Sequence, residues 1–217
     1  VVARVRLDGD VPSDNPFVGD DSAIDTIWSY GHRNVQGAMM RDGALWTIEH
    51  GPQGGDELNK PEAGKNYGWP TISYGQTYQG APIGSGQAQM EGMEQPVYFW
   101  DPVIAPAGMI TYDGDAFGDW QGDVFISSLY PGGIVRLSLE DGTVTGEERL
   151  MMDLGRVRDL EVDSDGSILA ITDYVEGQLI RLMDQYAALL RAYPYAETVT
   201  LPDGSGRDWL AYCEGMR

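Results

Sequence analysis

One short pattern recurs three times along this chain and limits its fold more than anything else in the sequence: a polar residue, a glycine, then a run of strand-forming residues. The copies are Asp42-Gly43-Ala44-Leu45-Trp46-Thr47-Ile48, Gln121-Gly122-Asp123-Val124-Phe125-Ile126-Ser127 and Asp165-Gly166-Ser167-Ile168-Leu169-Ala170-Ile171. Gly122 and Gly166 stand 44 residues apart, the spacing of successive four-stranded propeller blades. Gly43 and Gly122 stand 79 apart, so the first interval holds an insertion. A second element closes each unit: Val2-Ala3-Arg4-Val5-Arg6-Leu7-Asp8-Gly9, Ile134-Val135-Arg136-Leu137-Ser138-Leu139-Glu140-Asp141-Gly142 and Leu179-Ile180-Arg181-Leu182. Its alternation of apolar residues and arginine predicts outer strands, one face buried and the other charged and in water.

Composition agrees with an all-β chain. Among 217 residues there are 29 glycines beside 6 Trp, 12 Tyr and 4 Phe, a pairing of turn formers with large aromatics that favours many short strands. The hydrophobic fraction of 42% supports a core, and no stretch approaches the roughly 20 apolar residues of a membrane helix. Fourteen Lys and Arg against 34 Asp and Glu give a formal charge of −20, which excludes nucleic-acid binding by phosphate neutralisation. Cys213 is the single cysteine, so neither an internal disulfide framework nor a multi-cysteine zinc site is available. His32 and His50 are too few and too far apart in sequence to suggest a histidine metal site by spacing.

About three whole units are present, too few for a closed ring, and the first closing strand starts at residue 1 without the strands that should precede it. The expectation is an incomplete propeller lacking its N-terminal blades, with residues 1–7 as an outer strand without a blade of its own. Residues 1–182 form this part. Residues 183–217 are expected to be a short helical tail or linker, since Leu189 and Leu190 sit at helical spacing among Tyr186, Ala187 and Ala188 before Tyr193-Pro194.

Three segments are more specific than ordinary loops. Ser29-Tyr30-Gly31-His32-Arg33-Asn34-Val35-Gln36-Gly37 leads into the first repeated strand, Glu49-His50-Gly51-Pro52-Gln53-Gly54-Gly55-Asp56-Glu57-Leu58-Asn59 leaves it, and Gly64-Lys65-Asn66-Tyr67-Gly68-Trp69-Pro70 follows. Together with residues 96–109 and Arg156-Val157-Arg158-Asp159, these segments resemble, in order, the glucose/sorbosone dehydrogenase family, soluble quinoproteins that use pyrroloquinoline quinone (PQQ) on a six-bladed β-propeller. The resemblance runs over residues 1–182. It implies removal of hydride from the anomeric carbon of an aldose sugar to give a lactone. The electrons then pass to an external acceptor, a cytochrome or quinone, in the periplasm or outside the cell.

The resemblance also implies site residues. Arg33 and Asn34 fall on the quinone side of the cofactor, with Arg33 as electrostatic stabiliser, and Tyr78, Tyr98, Leu129, Arg156 and Arg158 complete the cofactor set. Trp100 is a further candidate for the cleft wall. Guanidinium groups suit a tricarboxylate quinone because they pair with carboxylates at two points and stabilise negative charge as hydride arrives. Arg156 and Arg158 alternate, so on a strand both point to one face. Calcium, a hard cation taking oxygen ligands, is implied at the carbonyls of Gly51 and Pro52, and a second at Glu57 with the carbonyl of Tyr67. Gly51 and Gly54-Gly55 let that loop turn sharply.

The chain departs from the pattern in places. Ser128-Leu129-Tyr130 has a tyrosine where many relatives carry a cofactor-binding lysine, and Val103 replaces a usual hydroxyl residue. The family's general-base histidine belongs N-terminal to every segment matched here, so neither His32 nor His50 is assigned that role. Tyr212-Cys213-Glu214-Gly215-Met216-Arg217 faintly resembles the entry to a c-type cytochrome, but Met216 and Arg217 stand where Cys-His would be required. The alternative from another class is a non-catalytic propeller that binds sugar or a protein partner.

Overall fold

A computed structural model describes residues 1–183, 198–200 and 206–208. The chain divides into two compact units, residues 1–109 with 140–144 and residues 110–139 with 145–217. No helix among the described residues is long and apolar enough to cross a membrane.

In the first unit, β1 (Val2–Ala3) pairs antiparallel with β2 (Ile27–Ser29). A four-stranded antiparallel sheet follows in chain order: β3 (Val35–Arg41), β4 (Ala44–Glu49), β5 (Asp56–Asn59) and β6 (Tyr98–Trp100). The β3–β4 turn is Asp42-Gly43, and both residues have positive φ, 50° and 74°, the two-residue hairpin geometry that Asp-Gly favours. The insertion in the first interval is the excursion over residues 60–97, which leaves β5 and returns as β6.

The second unit holds most of a sheet ordered β10-β9-β8-β7, made of β7 (Pro106–Thr111), β8 (Val124–Ser128), β9 (Ile134–Glu140) and β10 (Thr143–Leu150). Beside it is an antiparallel sheet of β11 (Val157–Val162), β12 (Ile168–Thr172) and β13 (Leu179–Leu182). These are propeller blades, and the fold is the all-β propeller type that the repeat predicts. The three repeated segments become β4, β8 and β12, each the second strand of its sheet. Their glycines do different work, however. Gly43 completes a hairpin, whereas Gln121 (φ −55°, ψ 128°) and Gly122 (φ +83°) form a type II turn closed by Asp123 N–H to Trp120 O at 3.0 Å.

Two strand expectations need correction. Residues 1–7 do not run as one outer strand: only Val2–Ala3 is extended in a ladder, and it is paired. Ile134–Glu140 is not an outer strand either, because β10 lies outside it. The physical reason is Arg136, whose charge is met inside the sheet and not by water. Its Nε donates to Asp123 at 2.7 Å, its Nη1 to Glu148 on β10, and its guanidinium lies 5.3 Å from the Trp120 ring. Leu179–Leu182 does form the edge of its sheet among the described residues. The helix expected over residues 183–192 lies outside the described residues apart from Met183. So does the cytochrome-like segment with Cys213. Within the tail, β14 (Thr198–Thr200) pairs with β15 (Gly206–Asp208).

The core of the second unit joins its two larger sheets. All five residues of β8 are buried, and Phe125, Tyr112, Phe117, Trp120, Ile134, Leu150, Val157 and Ile168 belong to one cluster. Tyr112 is also a polar tie: its hydroxyl donates to Gly166 O at 2.7 Å and accepts from Phe117 N–H at 3.0 Å, and burial pushes the phenol pKa up. Tyr112→Phe keeps the ring but leaves that carbonyl and that N–H unpaired, an expected loss of about 1–3 kcal/mol in denaturant unfolding. A change below a few tenths would mean the two groups find other partners.

Candidate functional site

The segment around Gly31-His32-Arg33-Asn34 is organised by one buried carboxylate. Glu49, the last residue of β4 and 3% exposed, accepts four hydrogen bonds. Its Oε1 takes His32 Nδ1 at 3.0 Å and Asn59 Nδ2 at 2.8 Å, and its Oε2 takes the backbone N–H of Arg33 at 2.6 Å and of Asn34 at 3.2 Å. His32 is thereby held in place. Its Nε2 accepts from Ser29 Oγ at 2.9 Å, and its ring stacks on Tyr67 with centroids 4.6 Å apart. Both ring nitrogens of His32 are thus engaged within the protein.

Arg33 is held at both ends. Its backbone is tied to Glu49, its Nη1 donates to His50 O at 2.9 Å, and its guanidinium lies 5.3 Å from the Trp69 ring. Asn34 is exposed, and its side-chain oxygen accepts from Gln36 Nε2 at 2.9 Å. His50 Nε2 donates to Pro106 O at 2.7 Å, which orients this ring as well.

A second carboxylate shapes the next loop. Asp56, 1% exposed, accepts the N–H of Gly51 at 2.8 Å, of Ile104 at 2.8 Å and of Ala105 at 2.7 Å. Burial pushes its pKa up while these three bonds pull it down. Gly54 and Gly55 take positive φ, 81° and 72°, and a Cβ on Gly51 would lie 2.1 Å from Gly54 O and 2.3 Å from Gly55 O. No side chain fits there, so the loop closes on itself only with glycine.

These pieces surround one cavity of about 10 Å³, the room of a single water or ion. Its lining includes Arg33, Gly51, Pro52, Glu57, Tyr67 and Trp69. The four residues expected to hold calcium and the arginine expected at the quinone thus meet at one place in the first unit. Behind it, Glu49 and Glu57 face each other across the β4–β5 ladder, with Thr47 and Asn59 as the next pair on the same face, beyond Ile48 and Leu58. Asn59 Nδ2 bridges both carboxylates, to Glu49 at 2.8 Å and Glu57 at 3.1 Å. Burial, with the charges of Glu49 and Asp56 adding to it, pushes the Glu57 carboxyl up to about 7, against the bond from Asn59. Asn59 Oδ1 and Thr47 Oγ1 are buried without a hydrogen-bond partner in the structure. The donors are all oxygen and the local charge is negative, which suits a hard cation. Among the described residues no three His, Cys, Asp or Glu side chains gather as a metal cluster, so a cation here depends on backbone carbonyls.

Tyr78 is 73% exposed on the excursion, while Tyr98 is half-buried and packs edge-on to Trp100, with centroids 5.1 Å apart. Trp100 itself is a core residue, 4% exposed. In the second unit, Arg156 and Arg158 do reach one point: both guanidinium groups bond Asp173 Oδ2. Leu129, 6% exposed, offers its carbonyl to Arg156 Nη1 at 3.4 Å. The hydrogen bonds from Arg156 and then Arg158 hold the Asp173 carboxyl below its usual pKa. That contribution to stability is present above the ordinary Asp value near 4 and fades as pH falls through the lowered one.

Sequence reasoning did not single out Glu49, Asp56, Trp69 or Asp173. Glu49 carried a usable signal, a charged residue directly after the strand-forming Trp46-Thr47-Ile48. Asp173 carried none, since its partners lie 15 and 17 residues upstream.

The fold and these segments are those of a sugar dehydrogenase family. The chain belongs to the Glucose / Sorbosone dehydrogenase family, whose profile matches residues 1–181. It is 40% identical over 185 residues to the aldose sugar dehydrogenase YliI of Escherichia coli (strain K12), covering 83% of this chain and 50% of that protein. A crystal structure of a glucose dehydrogenase superposes with a TM-score of 0.81 at 43% identity, over 83% of this chain and 53% of the other. The PQQ-bound form of an aldose sugar dehydrogenase from Streptomyces coelicolor superposes with a TM-score of 0.64 at 25% identity, over 83% and 51%. The chain therefore spans about half the length of these relatives.

Proposed function

We propose that this chain is the calcium- and PQQ-holding portion, residues 1–182, of an exported periplasmic or secreted dehydrogenase that oxidises aldose sugars to lactones. The observation that carries this reading is that Arg33, Gly51, Pro52, Glu57 and Tyr67 line one ion-sized cavity in the first unit. Oxidation at the anomeric carbon removes a hydride from carbon and a proton from its hydroxyl. When bound, PQQ supplies the two-electron acceptor, and an external cytochrome or quinone takes the electrons onward. Arg33 provides fixed positive charge beside developing negative charge, and it needs no reorganisation because Glu49, His50 and Trp69 already hold it. Gly51 and Pro52 offer carbonyls to one calcium, and Glu57 with the Tyr67 carbonyl offers oxygens to another. Asn34, Tyr78, Tyr98 and Leu129 are the remaining cofactor contacts, with Arg156 and Arg158 for its carboxylates. Proton removal from the sugar falls to none of the described histidines.

The test is titration of the purified chain with calcium and PQQ, followed by cofactor absorbance. Calcium at a hundred times its dissociation constant is expected to stabilise the fold by about 2.7 kcal/mol. Glu57→Gln should remove much of that rise in Tm. Arg33→Gln should weaken PQQ binding on the order of tenfold or more, through loss of charge-assisted hydrogen bonds. Absence of PQQ binding with calcium binding retained would overturn the proposal in favour of a propeller that binds sugar or a protein partner.

A further inference from the structure

The two arginines of the second unit do different jobs. Arg156 is exposed, yet its donors are turned to the protein itself. Its Nε and Nη2 donate to Asp173 Oδ2 at 3.1 and 2.6 Å, its Nη1 donates to Leu129 O, and its backbone N–H donates to Tyr174 Oη at 3.0 Å. Tyr174 is fitted closely there, since a Cβ on Gly155 would lie 2.0 Å from its hydroxyl. Arg158 is anchored by its main chain, where its carbonyl accepts from Ser127 Oγ of β8 at 3.0 Å. Its side chain makes one bond among the described residues, Nη2 to Asp173 Oδ2 at 2.9 Å. A guanidinium carries five N–H donors, so Arg158, with one engaged, has more left for a ligand than Arg156, with three engaged.

We propose that Asp173 is the positioning residue of this anion site: it fixes Arg158 for contact with a ligand carboxylate, and Arg156 serves as the strut that fixes Asp173. The proposal rests on the reading of Arg156 and Arg158 as carboxylate-binding residues. Three reasons support it. One carboxylate oxygen takes three charge-assisted hydrogen bonds from two cations, which overcomes the repulsion that would otherwise drive the guanidinium groups apart into water. The trio keeps a net charge of +1, enough to attract a single carboxylate. Asp173 directly follows the last residue of β12, and its backbone N–H donates to Arg156 O at 2.8 Å, so its place is set by the sheet and not by a free loop.

The experiment uses the full chain with calcium and titrates PQQ into the unsubstituted protein, Arg158→Gln, Arg156→Gln, Asp173→Asn and the double variant Asp173→Asn with Arg158→Gln. Arg158→Gln is expected to weaken binding on the order of tenfold with Tm nearly unchanged, because its side chain contributes little to the fold. Arg156→Gln should lower Tm more than Arg158→Gln does. Asp173→Asn should weaken binding several-fold in the unsubstituted background and have almost no effect once Arg158 is gone. A ligand-free readout accompanies these titrations: the NMR signal of Arg158 Nε–H, well ordered in the parent, should average toward free rotation in Asp173→Asn.

Tighter binding in Asp173→Asn would show that Asp173 merely competes with the ligand, and would overturn the positioning role. Equal weakening in both backgrounds would do the same. Unchanged affinity in Arg158→Gln would instead overturn the underlying assignment of the arginine pair. Failure of the unsubstituted chain to bind PQQ would remove the cofactor reading and this proposal with it.

Discussion

Glu49→Ala is expected to lower the folding free energy by about 3–5 kcal/mol and to abolish binding at the first-unit site even where the fold survives. The size follows from what is left behind. Four donors lose their acceptor at once: the His32 ring, the Arg33 and Asn34 backbones, and the Asn59 amide. Glu49, His32 and Asn59 are all buried, so water cannot simply replace the carboxylate. Glu49→Gln separates charge from shape, since it keeps the size but puts an NH₂ where one oxygen accepted. It should recover less than half of the loss. Chemical denaturation of the three proteins checks the order, and a loss under about 1 kcal/mol for Glu49→Ala would mean that the segment is held by other contacts.

Phe125→Ala is expected to cost about 3–5 kcal/mol, with the loss confined to the second unit's core. Phe125 is fully buried on β8, with the Trp120 ring 5.4 Å and the Tyr112 ring 6.0 Å from its own. A strand covered on both faces cannot easily collapse into the space, so the cavity persists. Phe125→Leu should cost markedly less. Equal costs for the two variants, measured as shifts in urea midpoint, would show that the core repacks freely and that the interlocked aromatic set is not what stabilises it.

The blades were legible because glycine at a turn and an apolar run after it are local properties. The three repeated segments became second strands without exception, and Asp42-Gly43 adopted the hairpin geometry that its two residues favour. Strand rank within a sheet was less legible. Arg136 looked like a residue for water, and only the placement of Asp123 and Glu148 turned its position into an interior one. The site divided in the same way. Arg33, Gly51, Pro52, Glu57 and Tyr67 were singled out through motif order, and they line one cavity. Glu49 and Asp56 stayed hidden because they act on backbone N–H groups supplied by other segments, and a sequence does not show which N–H groups lack partners.

The excursion between β5 and β6 has unequal freedom to change along its length. Its first part is bound to the site: Tyr67 N–H to Tyr30 O at 2.8 Å, Trp69 N–H to Gly31 O at 2.8 Å, and Gln53 with Gln76 through both backbone groups at 2.9 Å. Beyond Tyr78 most side chains are exposed, although the backbone is tied back to the first part by Ser85 N–H to Thr71 O at 2.8 Å and Glu94 N–H to Asn66 O at 2.8 Å, and the return to β6 is secured by its ladder to β5. Descendants of this sequence are therefore free to change the exposed side chains of the distal stretch while the loop at residues 51–55 and the blade register stay as they are. Side-chain change has a place to accumulate here without first breaking the parts that shape the first unit's cavity.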